Sequence, residues 1–343
     1  MLVLRWILFP FSLLYGLILE VRNFCYNRGW FPVYAIPVKS ISVGNLSTGG
    51  TGKTPHVHYL ADYLKKNNEV CIVSRGYGRS TKGFKWVECA SSAHEVGDEP
   101  LFYKKSFEAE VLVAVGEKRS EAVQRVMNEV PSISLFLLDD AYQHRAVKCG
   151  LSILLTEYTK PFFSDQVLPT GNLREFPHNK ERADLVIVTK CPEELSRNEK
   201  ERFRAQLNMS GKPIFFSQII YGVPVGFKQE QWLSPENVLI VTGIANPEPL
   251  LNYVSEQART EHVSFSDHHD FKSSDIEAIH RKFDTFAHKN AVILTTEKDY
   301  VRLSQFISKG ALEKYPWFYL PISIQIDEEE KFKSIIDQYV GAV

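Results

Sequence analysis

The chain has 343 residues, with 40 Lys and Arg against 41 Asp and Glu and a formal net charge of −1. That balance excludes a polybasic nucleic-acid binder, and 44% hydrophobic with 24% charged residues excludes a disordered or collagen-like chain. At roughly 100–200 residues per domain the length points to two domains. The five cysteines, Cys25, Cys71, Cys89, Cys149 and Cys191, are odd in number and contain no C-x-x-C pair. They imply neither a disulfide framework nor a zinc site, and they suit a reducing compartment.

The first element is an uncharged run from Trp6 to Leu19, flanked by Arg5 on one side and by Glu20, Arg22 and Arg28 on the other. It is shorter than the roughly 20 apolar residues that span a bilayer, and no A-x-A cleavage pattern follows it. Two readings compete: a helix buried against the protein body, and a helix dipping into one leaflet with its basic flanks at the headgroups. Aromatic residues continue through Phe24, Tyr26, Trp30, Phe31 and Tyr34, which also argues against cleavage, and Trp and Tyr at an interface favour the second reading.

From Val38 onward, short β-branched runs alternate with helical periodicity, which predicts a mainly parallel sheet with crossover helices. The predicted strands are 39–43, 70–73, 110–115, 134–138, 152–155, 185–189 and 214–216. Between the first two, Val57, Leu60, Ala61 and Leu64 share one face of a helix. Residues 218–235, with Gly222, Pro224 and Gly226, read as a connection. A second α/β series follows, with strands 238–241, 262–265, 291–294 and 317–320 and helices near 247–257, 274–286 and 328–339. The expected organisation is an N-terminal membrane-associated helix (1–35), a P-loop domain (36–217), a linker (218–235) and a smaller second lobe (236–343).

Ser47, Thr48, Gly49, Gly50, Thr51, Gly52, Lys53 and Thr54 lie between a predicted strand and a predicted helix, the context a phosphate-binding loop requires. Consecutive backbone N–H groups can surround phosphate oxygens there, the helix offers its positive end, and Lys53 adds a mobile charge. Thr54 suits a Mg²⁺ ligand. Ser47 stands where the strict pattern has glycine. An apolar strand ending in Asp139 and Asp140 supplies the carboxylates that a nucleotide-bound Mg²⁺ needs, Asp139 being the stronger candidate. These elements imply a nucleoside triphosphate and Mg²⁺, and leave motor, switch, kinase and transporter ATPase open. A kinase needs a base for an incoming hydroxyl, and the charged loop candidates are Asp98, Asp267, His268 and His269.

The chain resembles the tetraacyldisaccharide 4′-kinases of lipid A biosynthesis. The resemblance is carried by SVGNLSTGGTGKTP from Ser42, SRGYGR from Ser74, GDEP from Gly97, KRSEAV from Lys118, DDAYQH from Asp139, LPTGNLRE from Leu168, VTGIANP from Val241, FSDHHDF from Phe265 and TEKD from Thr296. Ala141 departs from the family's usual Asp-Asp-Gly. The resemblance implies transfer of the γ-phosphate of ATP to the 4′-hydroxyl of a tetraacylated disaccharide 1-phosphate, by a peripheral or monotopic enzyme on the cytoplasmic face of a Gram-negative-type inner membrane. It makes Asp98 the general base and His268 its partner, leaving His269 as a control position. It places Arg174 at the nucleotide phosphates and Arg119 near the transferring group. Asn45, Arg75, Tyr77, Gln143 and His144 are assigned to the acceptor, because they fall in loops at the carboxyl ends of strands. Glu297, Lys298 and Asp299 receive no role. Neither nucleic acid nor an obligatory protein partner is implied.

Two rival readings remain. A switch-type ATPase or GTPase would use the P-loop for a conformational change, but Thr189-Lys190-Cys191-Pro192 puts proline where a guanine reader needs aspartate, and the partitioning ATPases' extra lysine is missing at Ser47 and Thr48. The other rival is a membrane-bound scaffold that binds ATP without turning it over.

Overall fold

The computed structural model describes every residue except 1, 210, 229, 287–289, 308–309, 311, 313 and 342–343. A nine-stranded sheet forms the larger body, in the order Ile322–Ile326, Ile214–Tyr221, Leu185–Thr189, Leu151–Glu157, Lys39–Asn45, Leu135–Asp139, Val70–Ser74, Leu112–Val115 and Lys85–Trp86. Only the two edge strands run antiparallel to their neighbours. Val70–Ser74, Leu135–Asp139 and Leu185–Thr189 are buried throughout, as continuous apolar runs must be when helices cover both faces of a parallel sheet. The helix Lys53–Leu64 lays His56, Val57, Leu60, Ala61 and Leu64 against it.

The smaller sheet orders Val225–Gly226, Trp317–Leu320, Ala291–Thr296, Asn237–Thr242 and Arg259–Ser264, and only the first of these is antiparallel. Here the expected domain limits need correction. Residues 322–341 do not stay in the second lobe: Ile322–Ile326 pairs with Ile214–Tyr221, and Ile324, Ile326, Phe332 and Ile336 join the core that holds Ile41, Leu60 and Phe215. The expected linker is also mostly structured, since residues 218–221 belong to the first sheet and Val225–Gly226 to the second. The chain therefore crosses between lobes twice, at 222–224 and at Pro321, where the Gly222 N–H donates to the Pro321 carbonyl at 2.9 Å. Pro321 has no N–H to continue a ladder, which lets two strands one residue apart enter different sheets.

The lobes also meet through helices. Asp98–Phe107 of the first packs on Glu297–Ile307 of the second, with Val301 in the first lobe's core and Lys105 Nζ donating to Ser304 Oγ at 2.5 Å.

The N-terminal helix runs from Leu2 to Asn27, longer than the uncharged run alone suggests. Its inward stripe is small and polar: Ser12, Gly16 and Asn23 are buried, and a Cβ on Gly16 would lie 2.4 Å from the Phe176 ring. Its outward face carries Phe11, Leu13, Leu14, Leu17, Ile18, Val21 and Phe24, all exposed. This reverses the usual arrangement of a surface helix, which turns its apolar stripe to the core.

Candidate active site

The phosphate loop closes between the strand Lys39–Asn45 and the helix Lys53–Leu64. Gly49 and Gly52 adopt φ of 96° and 88°, a left-handed region that side chains disfavour. Gly52 caps the helix without a side-chain bond, so the first N–H groups face outward at the positive end of the helix. The loop is braced from both sides. Thr48 N–H donates to the Asn172 carbonyl at 2.7 Å, Thr189 Oγ1 donates to the Thr51 carbonyl at 2.9 Å, and Ser47 forms an antiparallel bridge with Leu173. Asn45 is fully buried: its Nδ2 donates to Thr51 Oγ1 at 2.8 Å and its Oδ1 accepts from Lys53 at 3.4 Å. Its side chain therefore serves the loop rather than an open acceptor surface.

Three carboxylates lie beside this loop. Asp140, with φ of 47°, faces Lys53 Nζ at 3.6 Å and Arg174 Nη1 at 3.0 Å. Burial opposes its charge, but Lys53 and Arg174 prevail and hold its carboxyl below the ordinary range. Asp139 is buried, accepts one hydrogen bond from Ser74 Oγ at 3.1 Å, and has no hydrogen-bond partner for its other oxygen. Burial, then the charges of Glu99 and Asp140, push its carboxyl up to about 7. Glu99 Oε1 accepts from Thr54 Oγ1 at 3.2 Å, and the Tyr103 hydroxyl is buried close to Asp139, Glu99 and Thr54. An orphaned carboxylate oxygen beside a second carboxylate and a threonine hydroxyl fits a hard divalent cation. Among the described residues no three His, Cys, Asp or Glu side chains form a metal site by themselves; Mg²⁺ in nucleotide sites takes most of its ligands from phosphates and water.

The two arginines expected at the phosphates sit differently. Arg174 is half-exposed at the loop and paired with Asp140. Arg119 is only 2% exposed and donates to the Gly116 and Asp139 carbonyls at 2.8 and 3.1 Å, so it buttresses the end of the Asp139 strand. Burial lowers its pKa to about 10.

At the lobe junction the structure brings Asp98 and His268 together. Asp98 opens the helix Asp98–Phe107, and His268, with φ of 57°, lies in a turn of the second lobe. His268 Nδ1 donates to Asp98 Oδ2 at 2.8 Å, while Lys298 Nζ donates to His268 Nε2 at 3.1 Å. Carboxylates only accept and ammonium groups only donate, so this pair of contacts fixes the tautomer with its proton on Nδ1. Arg302 Nε stands 3.7 Å from Asp98 Oδ2. Burial raises the Asp98 pKa, but the His268 bond and the charges of Arg302 and Lys298 outweigh it and leave the carboxyl below its ordinary range. Tyr77, 73% exposed, has its ring 5.9 Å from that of His268.

His269 belongs to the scaffold. Its Nε2 meets Asp275 Oδ2 at 2.9 Å, its ring stacks on Phe265, and its carbonyl accepts from Arg302. His269→Ala should therefore lower stability by about 1 kcal/mol through the lost Asp275 bond yet reduce turnover much less than His268→Ala. Thermal melts and steady-state rates on the two variants check this, and equal rate losses would remove His268's special position.

Glu99, Lys298 and Arg302 are the residues the sequence reading leaves without a role. Glu99 follows the candidate base directly in GDEP, and Lys298 lies inside TEKD, but no local periodicity says which loop either side chain meets. Gln143 links the loop after Asp139 to the end of the strand that leads into the P-loop, its Nε2 donating to the Asn45 carbonyl at 2.8 Å. Arg75 is exposed and His144 half-buried; both follow the carboxyl ends of two neighbouring parallel strands.

Known proteins resemble this chain over nearly its whole length. The family described as tetraacyldisaccharide-1-P 4′-kinase matches residues 4–341. The tetraacyldisaccharide 4′-kinase of Flavobacterium johnsoniae is 40% identical over 344 residues, covering 98% of each chain. That of Bacteroides thetaiotaomicron is 38% identical, covering 98% of this chain and 93% of its own. A crystal structure of LpxK from Aquifex aeolicus in complex with ATP superposes with a TM-score of 0.76 at 32% identity, covering 98% of this chain and 99% of that one. By motif, length and fold, this chain belongs to the tetraacyldisaccharide-1-P 4′-kinase family.

Proposed function

We infer that this chain transfers the γ-phosphate of ATP to the 4′-hydroxyl of a tetraacyldisaccharide 1-phosphate, an alcohol-group phosphotransferase of lipid A biosynthesis. Beyond family membership, the observation that carries the reading is the Asp98–His268 contact, in which a base on the P-loop's own lobe is held by a histidine of the opposite lobe. The 4′-oxygen forms a bond to the γ-phosphorus, the bond from that phosphorus to the β,γ-bridging oxygen breaks, ADP leaves, and the hydroxyl proton passes to Asp98. A low-pKa carboxylate suffices, because in a loose transition state the hydroxyl becomes acidic only as its bond to phosphorus forms. His268 holds Asp98 in place, while Lys298 and Arg302 keep it ionised. The P-loop amides, Lys53 and Arg174 hold the triphosphate, with Arg174 also able to pair bidentately with phosphate oxygens. Mg²⁺ would be held by Thr54 and Asp139 with Glu99 nearby, neutralising phosphate charge; Asp140 is already engaged by two cations.

The exposed apolar face of the N-terminal helix supports seating at a lipid surface. Leu14, Leu17 and Ile18 are each more than half exposed, an arrangement that water disfavours by about 25 cal/mol per Å² and a leaflet accepts. Seated on the cytoplasmic face of the inner membrane, the enzyme would meet an acceptor whose acyl chains stay in the bilayer. A Leu14→Glu/Leu17→Glu/Ile18→Glu variant should leave the membrane fraction and lose activity on long-chain acceptor in vesicles, with an unchanged melting profile. Unaltered partition would remove the membrane role from this face.

The function is tested by transfer of labelled γ-phosphate from Mg·ATP to tetraacyldisaccharide 1-phosphate in detergent micelles, with and without acceptor. Acceptor-dependent product is expected. Equal ATP hydrolysis with and without acceptor, and no lipid product, would favour the switch-type ATPase; ATP binding without turnover would favour the scaffold.

A further inference from the structure

Four cationic or imidazole side chains converge where the N-terminal helix meets the loops after Ser74 and Asp139. Strands Val70–Ser74 and Leu135–Asp139 are neighbours, so Arg75 and the 140–145 loop emerge side by side. Arg22, on the N-terminal helix, donates to the Gln143 carbonyl. Arg145 Nη2 donates to Asn27 Oδ1 at 2.7 Å on the same helix, while its Nη1 is buried without a partner. The charges of Arg119, Arg22 and Arg75 all act on His144, whose Nε2 is buried and likewise without a hydrogen-bond partner.

The nearby acids are spent elsewhere. Asp140 faces Lys53 and Arg174, and Glu175 pairs with Arg182 at 2.6 Å. Among the described residues neither Arg22, Arg75 nor Arg145 forms an ion pair with a carboxylate. The SRGYGR loop shows the contrast within one motif: Arg79 is packed against Glu117 at 2.6 Å and donates to the Gly83 carbonyl, which holds the loop, whereas Arg75 extends from it uncompensated. Concentrating like charge without counter-charge is unfavourable unless an anion completes the site.

We propose that Arg22, Arg75 and His144, with Arg145 behind them, bind the 1-phosphate of the acceptor disaccharide. The proposal rests on the kinase reading above and adds which end of the acceptor this cluster recognises. Two features select that phosphate over those of the nucleotide. Arg22 and Arg145 are anchored on the helix whose outer face is apolar, so the cluster borders the lipid-facing side of the protein. Tyr77, two residues beyond Arg75, reaches His268, so one short loop runs from the cluster to the candidate base. A disaccharide lying along that loop would put its 1-phosphate among the arginines and its 4′-hydroxyl at Asp98. Guanidinium groups suit a phosphate monoester because their paired N–H groups match its oxygens.

The test compares acceptors with and without the 1-phosphate in neutral detergent micelles, using the wild type, Arg22→Gln/Arg75→Gln and Arg22→Lys/Arg75→Lys. Charge-assisted bonds of this kind correspond to about 10- to 100-fold in binding. The wild type should favour the phosphorylated acceptor by that factor. The glutamine variant should raise KM for it by a similar factor, with kcat and the KM for Mg·ATP little changed, and should treat the two acceptors alike; the lysine variant should recover part of the preference. Unchanged melting profiles confirm that the variants fold. Equal losses on both acceptors, or a raised KM for ATP, would reassign the arginines to the transferring phosphoryl group and overturn the proposal. So would an effect seen only when anionic phospholipid is added to the micelles, which would mean headgroup binding. Absence of product from the wild type with either acceptor would instead sink the kinase reading itself, and this subsite with it.

Discussion

Asp98→Asn should lower kcat by about 10²- to 10⁴-fold, the range that positioned proton transfer contributes, while leaving ATP binding largely intact. The amide preserves shape and can still accept from His268, so the loss isolates the missing charge and basicity. His268→Ala should reduce kcat less, since it removes the partner that orients Asp98 but not the base itself. Equilibrium binding of a non-hydrolysable ATP analogue, measured beside single-turnover transfer, separates the two effects; a variant that transfers phosphate at the wild-type rate would exclude Asp98 as the base.

The electrostatics of Asp98 set a sign for pH. Its folded pKa lies below the ordinary aspartate value because His268, Arg302 and Lys298 prevail over burial. The active form is the carboxylate, so the acid limb of kcat/KM should fall below the usual aspartate range, with activity rising as pH increases through it. Lys298→Met removes one of those charges and should move the limb toward higher pH. For stability the depressed pKa works in the same direction: Asp98 stabilises the fold above its unfolded pKa, and that contribution is lost as pH falls through the folded one.

The second large effect is expected inside the second lobe. Arg302→Leu should destabilise the protein by about 3–5 kcal/mol, the range found when one member of a buried ion pair is removed. Asp299 is fully buried against Arg302, and its Oδ2 accepts from the Gly243 N–H at 3.1 Å and from Thr296 Oγ1 at 2.7 Å. Arg302 in turn donates to the Gly243 and His269 carbonyls at 2.9 and 3.1 Å. The pair thus ties the helix Glu297–Ile307 to the loop at Gly243 and to the turn that carries His268, and its loss should lower activity as well as stability. Burial already raises the Asp299 pKa. A raised carboxyl pKa favours the fold below the unfolded pKa and loses that advantage as pH rises, so the variant's deficit should shrink on acidification. Denaturant melts across pH test this. A double variant, Asp299→Asn/Arg302→Leu, should be less damaged than Arg302→Leu alone, because it leaves no uncompensated charge.

Much of the architecture could be read locally. Strands such as 135–138 and 185–189 are unbroken apolar runs of strand length, and the P-loop, its preceding strand and its following helix are contiguous, so no distant contact is needed to recognise them. The apolar N-terminal run and its basic flank were equally visible. Boundaries were less so: residues 322–326 look like any short apolar strand, and nothing in their pattern says that they leave the second sheet for the first. Arg119 and Arg174 are alike in type and in their motif settings, yet one is buried under a strand end and the other stands at the phosphate loop.

By itself, then, the sequence determined a parallel α/β fold, a triphosphate-binding loop with nearby carboxylates and, through its motifs, the kinase family. These properties reside in contiguous segments, where periodicity and backbone geometry act over a few residues. Only the tertiary structure decided that Asp98 and His268, 170 positions apart, share a hydrogen bond, that Lys298 and Arg302 hold them, and that Glu99 joins Thr54. It also turned the N-terminal helix apolar side outward, because Ser12, Gly16 and Asn23 found partners on the body. Such pairings depend on which elements become neighbours when the sheets assemble, and local patterning of hydrophobic and polar residues does not encode that choice.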